Sequence, residues 1–485
     1  MSQSTRPNIL LVTTDQQRYD ATGLTGPTFL RTPHYDNLAR EGILFRRAYA
    51  DCPICVPSRV SIMTGKTVFA HGMDRNGHTS EVMGRENTLP ALLGGLGYQT
   101  AAIGKMHFTP ERTRHGFDEM ILPSDYYRRM HDSGSALQPM RHGLGQNELY
   151  ATMATVPESQ TLTNWTAQQC LEYIRFRRDP GAPFFLWCSF SKPHPPLDPP
   201  EPYYSMYRQC DIPRCVTGDW ADDSQAPEAF RRFRQQNSYD LLGGEVLREA
   251  RSAYYGLITQ IDYNLGRVLA ALQDLGQLQD TLIIYTSDHG EYLGDHHAGS
   301  KVFFHDCSAR IPMVLRLPQS WPDRCHGRQI DSPVCLADIL PTLLAAAGGG
   351  ETAPADCDGI DLAALARGQR PPRDYLEATA RPDAYLAITD GKWKYIYYPE
   401  GPFEQLFNLA DDPQELRNLA HSTQHAAKRG QLYDELLRRQ QRRGNGWVQE
   451  GRLKSFPAKI EPLADRRNQA WPGIHSEYYD VDVRH

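Results

Sequence analysis

The chain has 485 residues, a net charge of −6, and 40% hydrophobic and 23% charged residues, a balance typical of globular proteins. The mild negative charge gives no electrostatic basis for binding nucleic acid or an anionic membrane surface, so neither is expected as a partner. No stretch of about 20 apolar residues and no signal-peptide pattern occurs, which predicts a cytoplasmic protein that does not span a membrane.

The N-terminal part of the chain begins with a pattern typical of a parallel sheet. Residues 8–14 (NILLVTT) form a continuous apolar run that ends at Asp15. Such a run predicts a short strand that is buried on both faces. Farther along, residues 89–108 predict a helix, a glycine stop and a strand, and residues 183–190 (PFFLWCSF) predict another buried strand.

A long helix and further strands follow in the middle of the chain. Apolar residues recur at helical spacing from Tyr254 to Leu272, and residues 281–290 (TLIIYTSDHG) predict the next buried strand. Residues 312–318 predict a strand and residues 336–348 a helix. This alternation predicts an α/β domain in which helices cover both faces of a large, mainly parallel sheet.

The pattern changes after residue 374. Apolar residues alternate around an Asp-Gly turn in residues 384–399, which predicts an antiparallel hairpin, and a helix is predicted around residues 424–441. We therefore predict three parts: a large α/β domain (1–374), a smaller C-terminal α+β domain with an antiparallel sheet (375–443), and a C-terminal arm (444–485). The arm is expected to pack on the body or on another subunit, which would make homo-oligomers.

Two long regions, residues 123–157 and 191–243, lack clear periodicity, and the second is rich in proline. Long irregular insertions in an α/β domain are often binding loops. Both regions are therefore predicted to contribute to a binding site.

The stretch DCPICVPSRVSIMTGK holds two cysteines that allow several interpretations. Cys52 and Cys55 form a C-x-x-C pair, which can be a redox dithiol, although no small βαβ pattern surrounds it here. A zinc site needs four ligands, and no second C-x-x-C occurs, since Cys210 and Cys215 lie in an irregular region. Two buried structural thiols are the third interpretation.

The residues after the second cysteine favour a fourth interpretation. Cys55, Val56, Pro57, Ser58 and Arg59, followed by a Thr-Gly pair, resemble the sulfatase signature C-x-P-S-R, and other motifs of that family follow in order. The motifs are most similar to those of choline-sulfatase-like and arylsulfatase-like members. The resemblance implies an alkaline-phosphatase-like fold and hydrolysis of a small-molecule or saccharide sulfate monoester to an alcohol and inorganic sulfate.

The resemblance also implies a modified nucleophile. In that family a separate formylglycine-generating enzyme oxidises the signature cysteine, here Cys55, to formylglycine, an aldehyde. The aldehyde hydrate has two hydroxyls, of which one attacks the ester sulfur and the other later loses its proton and expels sulfate. A serine in this position would instead form a stable alkyl sulfate. A cation beside the hydrate is expected to make it a better nucleophile.

Acidic residues follow two well-separated predicted strands, at the strand ends where α/β sheets place their sites. By resemblance, the ligands of one divalent cation would be Asp15, Gln16, residue 55, Asp288 and His289. Oxygen-rich ligation favours Ca²⁺, with Mg²⁺ or Mn²⁺ as alternatives. The glutamine and the histidine depart from the commonest pattern of the family and lower the charge of the ligand set.

A sulfate monoester is an anion, so cations and hydrogen-bond donors are expected to surround it. Arg59 lies one helical turn after Cys55, on the same face if a helix begins there. Lys105 and His107 are two residues apart on a predicted strand, so both should point the same way.

The resemblance assigns roles to the remaining candidate residues. Lys105 would hold sulfate oxygens, and His107 would take the hydrate proton during sulfate release. His194 and Lys301 would protonate the leaving oxygen, and Asn76 would contact the substrate.

Three other functions remain open. A phosphonate monoester or phosphodiester hydrolase of the same superfamily would share the fold, the formylglycine and the metal. Lys105 and His107 argue against it, because those enzymes tend to place uncharged residues there. A catalytically silent binding protein with this fold would keep Cys55 unmodified, and a dithiol redox protein would depend on Cys52.

Overall fold

The computed structural model describes residues 6–84, 86–134, 137–222, 224–381 and 384–458. Its strands are β1 (Asn8–Asp15), β2 (Ile43–Phe45), β3 (Ala48–Tyr49), β4 (Gln99–Gly104), β5 (Glu119–Ile121), β6 (Phe184–Pro193), β7 (Thr281–Ser287), β8 (Arg310–Ile311), β9 (Met313–Arg316), β10 (Arg328–Ile330), β11 (Val334–Cys335), β12 (Leu376–Thr379), β13 (Leu386–Thr389), β14 (Trp393–Tyr398), β15 (Phe403–Asn408), β16 (Val448–Gln449) and β17 (Arg452–Leu453). Its α-helices are α1 (Pro33–Glu41), α2 (Cys55–Thr64), α3 (Val68–His71), α4 (Leu89–Gly95), α5 (Pro123–Asp132), α6 (Leu162–Glu172), α7 (Tyr203–Met206), α8 (Glu228–Gln236), α9 (Gly244–Asp274), α10 (Asp306–Ala309), α11 (Ile339–Ala346), α12 (Leu362–Ala366) and α13 (Ala426–Arg443).

The larger sheet has eight strands in the order β10-β2-β9-β7-β1-β6-β4-β5. Strand β9 runs antiparallel to β2 and β7, and the other neighbouring pairs are parallel. A separate four-stranded antiparallel sheet, β12-β13-β14-β15, lies toward the C-terminal end. The predicted fold class, a large mainly parallel sheet with helices and a smaller antiparallel sheet, is therefore confirmed.

Strand β1 shows why its sequence is a continuous apolar run. Ile9 and Leu11 pack into one hydrophobic core with α2, α4 and α11, whereas Leu10 and Val12 pack into a second core with α1, α6 and α9. Since successive side chains of a strand point to opposite faces, burial of both faces requires apolar residues at every position. Strand β1 is thus the centre of a three-layer α/β body.

The small sheet is also covered on both faces. Leu386 and Ile388 of β13 pack with α13, while Ala387 and its neighbour on β14, Ile396, join a core that includes α9. The hairpin predicted in residues 384–399 is β13–β14. This sheet begins at Leu376, close to the predicted domain boundary, and its inner face is buried against the body.

The predicted C-terminal arm lies mostly outside the described residues. Its described part, residues 444–458, contains the two-stranded hairpin β16–β17. A role of the arm in oligomers therefore stays a prediction. Among the described residues, no helix combines the length and the apolar character that crossing a bilayer requires.

The two regions predicted to be irregular contain helices. Helix α5 begins with a proline, and Asp125 accepts a hydrogen bond from the Leu122 amide (2.8 Å), which caps it, but Tyr126 is its one buried residue. Helix α8 buries Phe230 and Phe233, three residues apart, within a charged sequence. Both helices are short and consist mostly of polar residues, so few apolar positions mark them in the sequence, which explains the error.

Candidate active site

Four neighbouring parallel strands, β7, β1, β6 and β4, end at the same edge of the sheet. The residues at and after these ends supply most of the predicted site: Asp288 and His289, Asp15 and Gln16, His194, and Lys105 and His107. This is the edge at which parallel α/β sheets form their binding sites. Helix α2 brings Cys55 and Arg59 to it, and the loop after β7 brings Lys301.

Four buried side chains form a group suited to a metal ion. The candidate ligand atoms of Asp15, Cys55, Asp288 and His289 all lie within 4.8 Å of one another. Cys55 Sγ lies 3.2 Å from His289 Nε2 and 3.9 Å from Asp15 Oδ1. Nδ1 of His289 donates to the Gly290 carbonyl (2.9 Å), which leaves the Nε2 lone pair directed at the group. Two carboxylates and an oriented imidazole fit a divalent cation.

Gln16 lies beside this group and is held by its neighbours. Its amide oxygen accepts a hydrogen bond from Lys301 Nζ (2.6 Å), and its amide nitrogen contacts Glu291. Its backbone N–H donates to Asp288 Oδ1 (3.0 Å). The oxygen that Gln16 could offer to a cation is therefore shared with a lysine. Glu291 was missed by the sequence analysis, although it follows Asp288 by three residues.

Helix α2 begins at Cys55, which meets the condition under which Arg59 was expected to share a helix face with Cys55. Arg59, one turn later, is buried and donates to Asp288 Oδ2 (2.9 Å from Nη2) and to Ser189 Oγ (3.0 Å). Its Nη2 also lies 3.5 Å from Asp15 Oδ2. Arg59 thus holds the two carboxylates in place. Ser189 was not singled out in the sequence, because it lies within an apolar strand.

Two lysines make the surroundings of Cys55 strongly cationic. Lys105 Nζ forms an ion pair with Asp15, and Lys301 Nζ donates to Gln16 beside the group. Burial alone would raise the pKa of the Cys55 thiol, but Lys301 and Lys105 lower this pKa well below its usual value. At the N-terminus of α2, Asn76 Oδ1 accepts a hydrogen bond from the Val56 amide (3.2 Å).

The prediction that Lys105 and His107 lie on a strand is wrong. Strand β4 ends at Gly104, whose φ is +99° and where a Cβ atom would lie 1.9 Å from the Ser189 carbonyl oxygen. Only glycine allows this approach, and the chain turns there. His107 follows with a φ of +59°, and its buried Nδ1 has no hydrogen-bond partner among the described residues.

His194 forms a hydrogen-bonded pair with Lys301. Nδ1 of His194 donates to the Pro195 carbonyl (2.8 Å), so Nε2 is the acceptor for Lys301 Nζ, 3.1 Å away. Burial and the Lys301 ammonium lower the pKa of His194 to about 4. The imidazole is therefore neutral near neutral pH and accepts the hydrogen bond that Lys301 Nζ donates.

A cavity of about 350 Å³ opens beside these residues. Lys105, His107 and His194 are among its lining residues, together with larger side chains such as Tyr126 and Leu257. Its volume lies within the range of small-molecule sites. The structure thus combines a metal-ligand group, cations and a cavity in one place.

The two cysteines of the C-x-x-C stretch face different surroundings. Cys52 Sγ contacts the Asp74 carbonyl oxygen (3.7 Å), whereas Cys55 faces His289. Burial raises the pKa of the Cys52 thiol well above its usual value, which makes Cys52 a poor nucleophile. This contrast does not favour a dithiol pair.

Known proteins resemble the chain in sequence. A family model described as Sulfatase matches residues 7–349, and one described as N-sulphoglucosamine sulphohydrolase, C-terminal, matches residues 294–442. The chain is 33% identical to an arylsulfatase of Clostridium perfringens, with 93% of this chain and 98% of that protein aligned. It is 31% identical to a choline-sulfatase of Rhizobium meliloti, over 86% of this chain and 83% of that protein.

The fold agrees with these relationships. A phosphonate monoester hydrolase of Agrobacterium radiobacter superposes with a TM-score of 0.75 and 28% sequence identity, over 90% of this chain and 96% of that one. The Sulfatase model covers most of the chain, and the arylsulfatase aligns with nearly all of it. The chain therefore belongs to the sulfatase family.

Proposed function

We propose that this enzyme cleaves a sulfate monoester at residue 55, in its formylglycine form, with the help of one divalent cation. As a member of the sulfatase family, the chain is an enzyme that hydrolyses sulfate esters. One observation carries the more detailed proposal. The metal-ligand group of Asp15, Cys55, Asp288 and His289 adjoins Lys105 and Lys301, and Lys105 also lines a cavity.

The cation would be held by Asp15, Asp288, His289 and an oxygen of residue 55, with Gln16 as a fifth candidate. When bound, it lowers the pKa of a neighbouring hydroxyl and stabilises negative charge. Two carboxylates favour Ca²⁺, and the His289 nitrogen makes Mn²⁺ an alternative, with Mg²⁺ next. We further propose that a formylglycine-generating enzyme modifies Cys55, since the thiol itself lacks the second hydroxyl that sulfate release needs.

The chain's own residues supply binding and proton transfer. Arg59 keeps Asp15 and Asp288 in place, as its hydrogen bonds indicate. The Lys105 ammonium would bind sulfate oxygens. This cation is already in place for the negative charge that develops on those oxygens during attack on sulfur. Asn76, bonded to the first turn of α2, would orient the substrate from the helix N-terminus.

Release of the two products would use different residues. The His107 side chain is a hydrogen-bond partner of Cys55, so its imidazole can accept the hydrate proton that starts sulfate release. Lys301 Nζ donates a hydrogen bond to His194, so this pair would protonate the leaving oxygen. The cavity would hold the alcohol, whose identity stays open among aryl, saccharide and choline esters. The cytoplasmic location also stays a prediction.

Replacement of each histidine is expected to give a different kinetic defect. His194→Ala should lower kcat/KM for an alkyl sulfate by about 100-fold or more, but for 4-nitrophenyl sulfate by less than about 5-fold, because nitrophenolate needs little protonation. His107→Ala should give one burst of alcohol and then near-silence with either ester, because sulfated enzyme accumulates. Stopped-flow and steady-state assays measure both effects. Equal losses for the two esters in His194→Ala, or a missing burst in His107→Ala, would contradict these roles.

The second candidate function is phosphonate monoester hydrolysis, favoured by the similarity to the Agrobacterium radiobacter hydrolase. The paired charges at Lys105 and Asp15 and the imidazole of His107 support the sulfate reaction instead. The test compares kcat/KM of the matured enzyme for 4-nitrophenyl sulfate and 4-nitrophenyl phenylphosphonate, with Cys55→Ala as the blank. A ratio of kcat/KM above about 10 in favour of the sulfate is expected. This ratio corresponds to a difference of about 1.4 kcal/mol in activation free energy. A preference for the phosphonate would reject the proposal.

A further inference from the structure

A partly buried ion pair closes the loop that carries His194. Lys192 and Asp198 form a salt bridge, and Lys192 Nζ also donates to the Pro196 carbonyl oxygen (2.6 Å). Residues 192–198 are thereby tied end to end, with His194 between the two ends. The loop holds His194 directly as well, through the hydrogen bond from Nδ1 to the Pro195 carbonyl.

A histidine from a distant part of the chain completes this cluster. His142 Nδ1 accepts a hydrogen bond from the Leu144 amide (3.1 Å), so its Nε2 carries the hydrogen. This Nε2 donates to Asp198 Oδ2 across 3.2 Å, whereas Lys192 binds Oδ1. Both oxygens of Asp198 therefore have partners, from two separate loops.

The cluster is shielded from solvent, so its interactions are stronger than those of a surface ion pair. The side chains of Lys192, Asp198 and His142 are 14%, 13% and 6% exposed. The ion pair holds the pKa of Asp198 below its usual value despite burial, which alone would raise it. Ion pairs in such surroundings restrain geometry more than exposed ones do.

The position of His194 depends on this loop. Its Nε2 must meet Lys301, which approaches from the loop after β7, while its Nδ1 is fixed by the backbone of residue 195. A shift of the backbone at residues 193–196 would move the imidazole away from Lys301. The cluster can prevent that shift, because Lys192 binds the backbone carbonyl of Pro196, the residue that follows Pro195.

We propose that Lys192, Asp198 and His142 act as positioning residues that hold His194 in register with Lys301 for protonation of the leaving oxygen. This inference rests on the proposed function, in which the His194–Lys301 pair serves the departing alcohol. Through His142, the cluster also ties the region of residues 137–157, which lines the cavity, to the loop of His194. Loss of the cluster should therefore resemble a partial loss of His194.

The test compares two esters in the matured full-length Asp198→Asn variant. We expect kcat for an alkyl sulfate to fall by about 10-fold or more, and kcat for 4-nitrophenyl sulfate by less than about 3-fold, since misplaced proton transfer affects the poorer leaving group. Lys192→Gln should show the same pattern. His142→Gln retains an N–H donor toward Asp198 and should preserve the rate ratio, whereas His142→Ala should change it.

Asp390→Asn is the matched control, because Asp390, in the turn between β13 and β14, forms a partly buried ion pair with Lys428 of α13 (2.8 Å). The Asp390→Asn substitution should leave kcat for both esters within about 2-fold of the wild-type value, because it is remote from the reacting groups. Circular dichroism and thermal melting report folding. If Asp198→Asn does not fold, the ratio of kcat for the two esters in His142→Gln and in His142→Ala tests the positioning role instead.

Two results would overturn the inference. Equal losses of kcat for both esters would mean a general structural role, and a rise in KM with unchanged kcat would mean that the cluster contacts the alcohol instead. The His194→Ala variant separates this failure from a failure of the proposed function. If His194→Ala shows ester-dependent loss and Asp198→Asn does not, only the positioning role is rejected.

Discussion

Replacing Cys55 by serine is expected to lower steady-state turnover by at least about 10⁴-fold and to leave the enzyme sulfated after one turnover. A serine hydroxyl beside the same cation could still attack sulfur. The product would be a stable alkyl sulfate, because no second hydroxyl exists to expel the sulfate. Mass spectrometry should find an added mass of about 80 Da on the peptide that contains residue 55.

Cys52→Ala is the matched control for this substitution. Cys52 is also a buried cysteine, three residues earlier, but its sulfur faces the Asp74 carbonyl rather than the metal-ligand group. Its loss should leave turnover within about 3-fold and cost some stability, as small core truncations do. Turnover in Cys55→Ser that remains near the wild-type value would contradict residue 55 as the nucleophile. A loss of activity in Cys52→Ala would favour a dithiol.

Removing the divalent cation is expected to lower turnover by at least about 100-fold while the protein stays folded. Asp15 and Asp288 remain paired with Lys105 and Arg59 without the metal, so their charges are not left uncompensated. Dialysis against a chelator, followed by assays after addition of Ca²⁺, Mn²⁺ or Mg²⁺, measures the loss and its reversal. Adding the metal back should also raise the melting temperature, since a ligand at 100 times its Kd adds about 2.7 kcal/mol to the free energy of unfolding.

Asp288→Asn should remove this metal response, because it weakens a candidate ligand and the contact with Arg59 together. Asp262→Asn is the matched control. Asp262 is a buried carboxylate that accepts hydrogen bonds from the amides of His34 and Tyr35 at the start of α1. The Asp262→Asn substitution should change the stability of the protein but not the response of turnover to metal. Full activity after verified removal of metal would contradict the proposed centre, as would two zinc ions per chain.

The parts of the fold that follow from local sequence were predictable. Strand β1 is buried on both faces, so Ile9 to Val12 are uniformly apolar, and the polar Asp15 marks its end. Because strands that end at one sheet edge bring their next residues together, the pairing of Asp15 with Asp288 could be expected. The position of Arg59 follows from a helix that begins at Cys55.

Other parts depend on contacts between distant residues, which no local pattern reveals. The end of β4 at Gly104 is caused by the Ser189 carbonyl of a neighbouring strand, so the sequence around Lys105 could not show it. The partnership of His142 with Asp198 joins residues 56 positions apart, in regions that appeared irregular. The buried Glu291, which contacts Gln16, was overlooked because one carboxylate after a strand has many structural explanations.

The mass of the peptide that contains residue 55 tests the proposed chemistry most directly. It should be measured on a preparation with demonstrated sulfate release, from a host whose formylglycine-generating enzyme is active on another sulfatase. Conversion of Cys55 to the aldehyde predicts a mass about 18 Da below that of the cysteine peptide, outside the usual oxidation products of cysteine. An active preparation in which residue 55 is entirely unmodified cysteine would contradict the proposal.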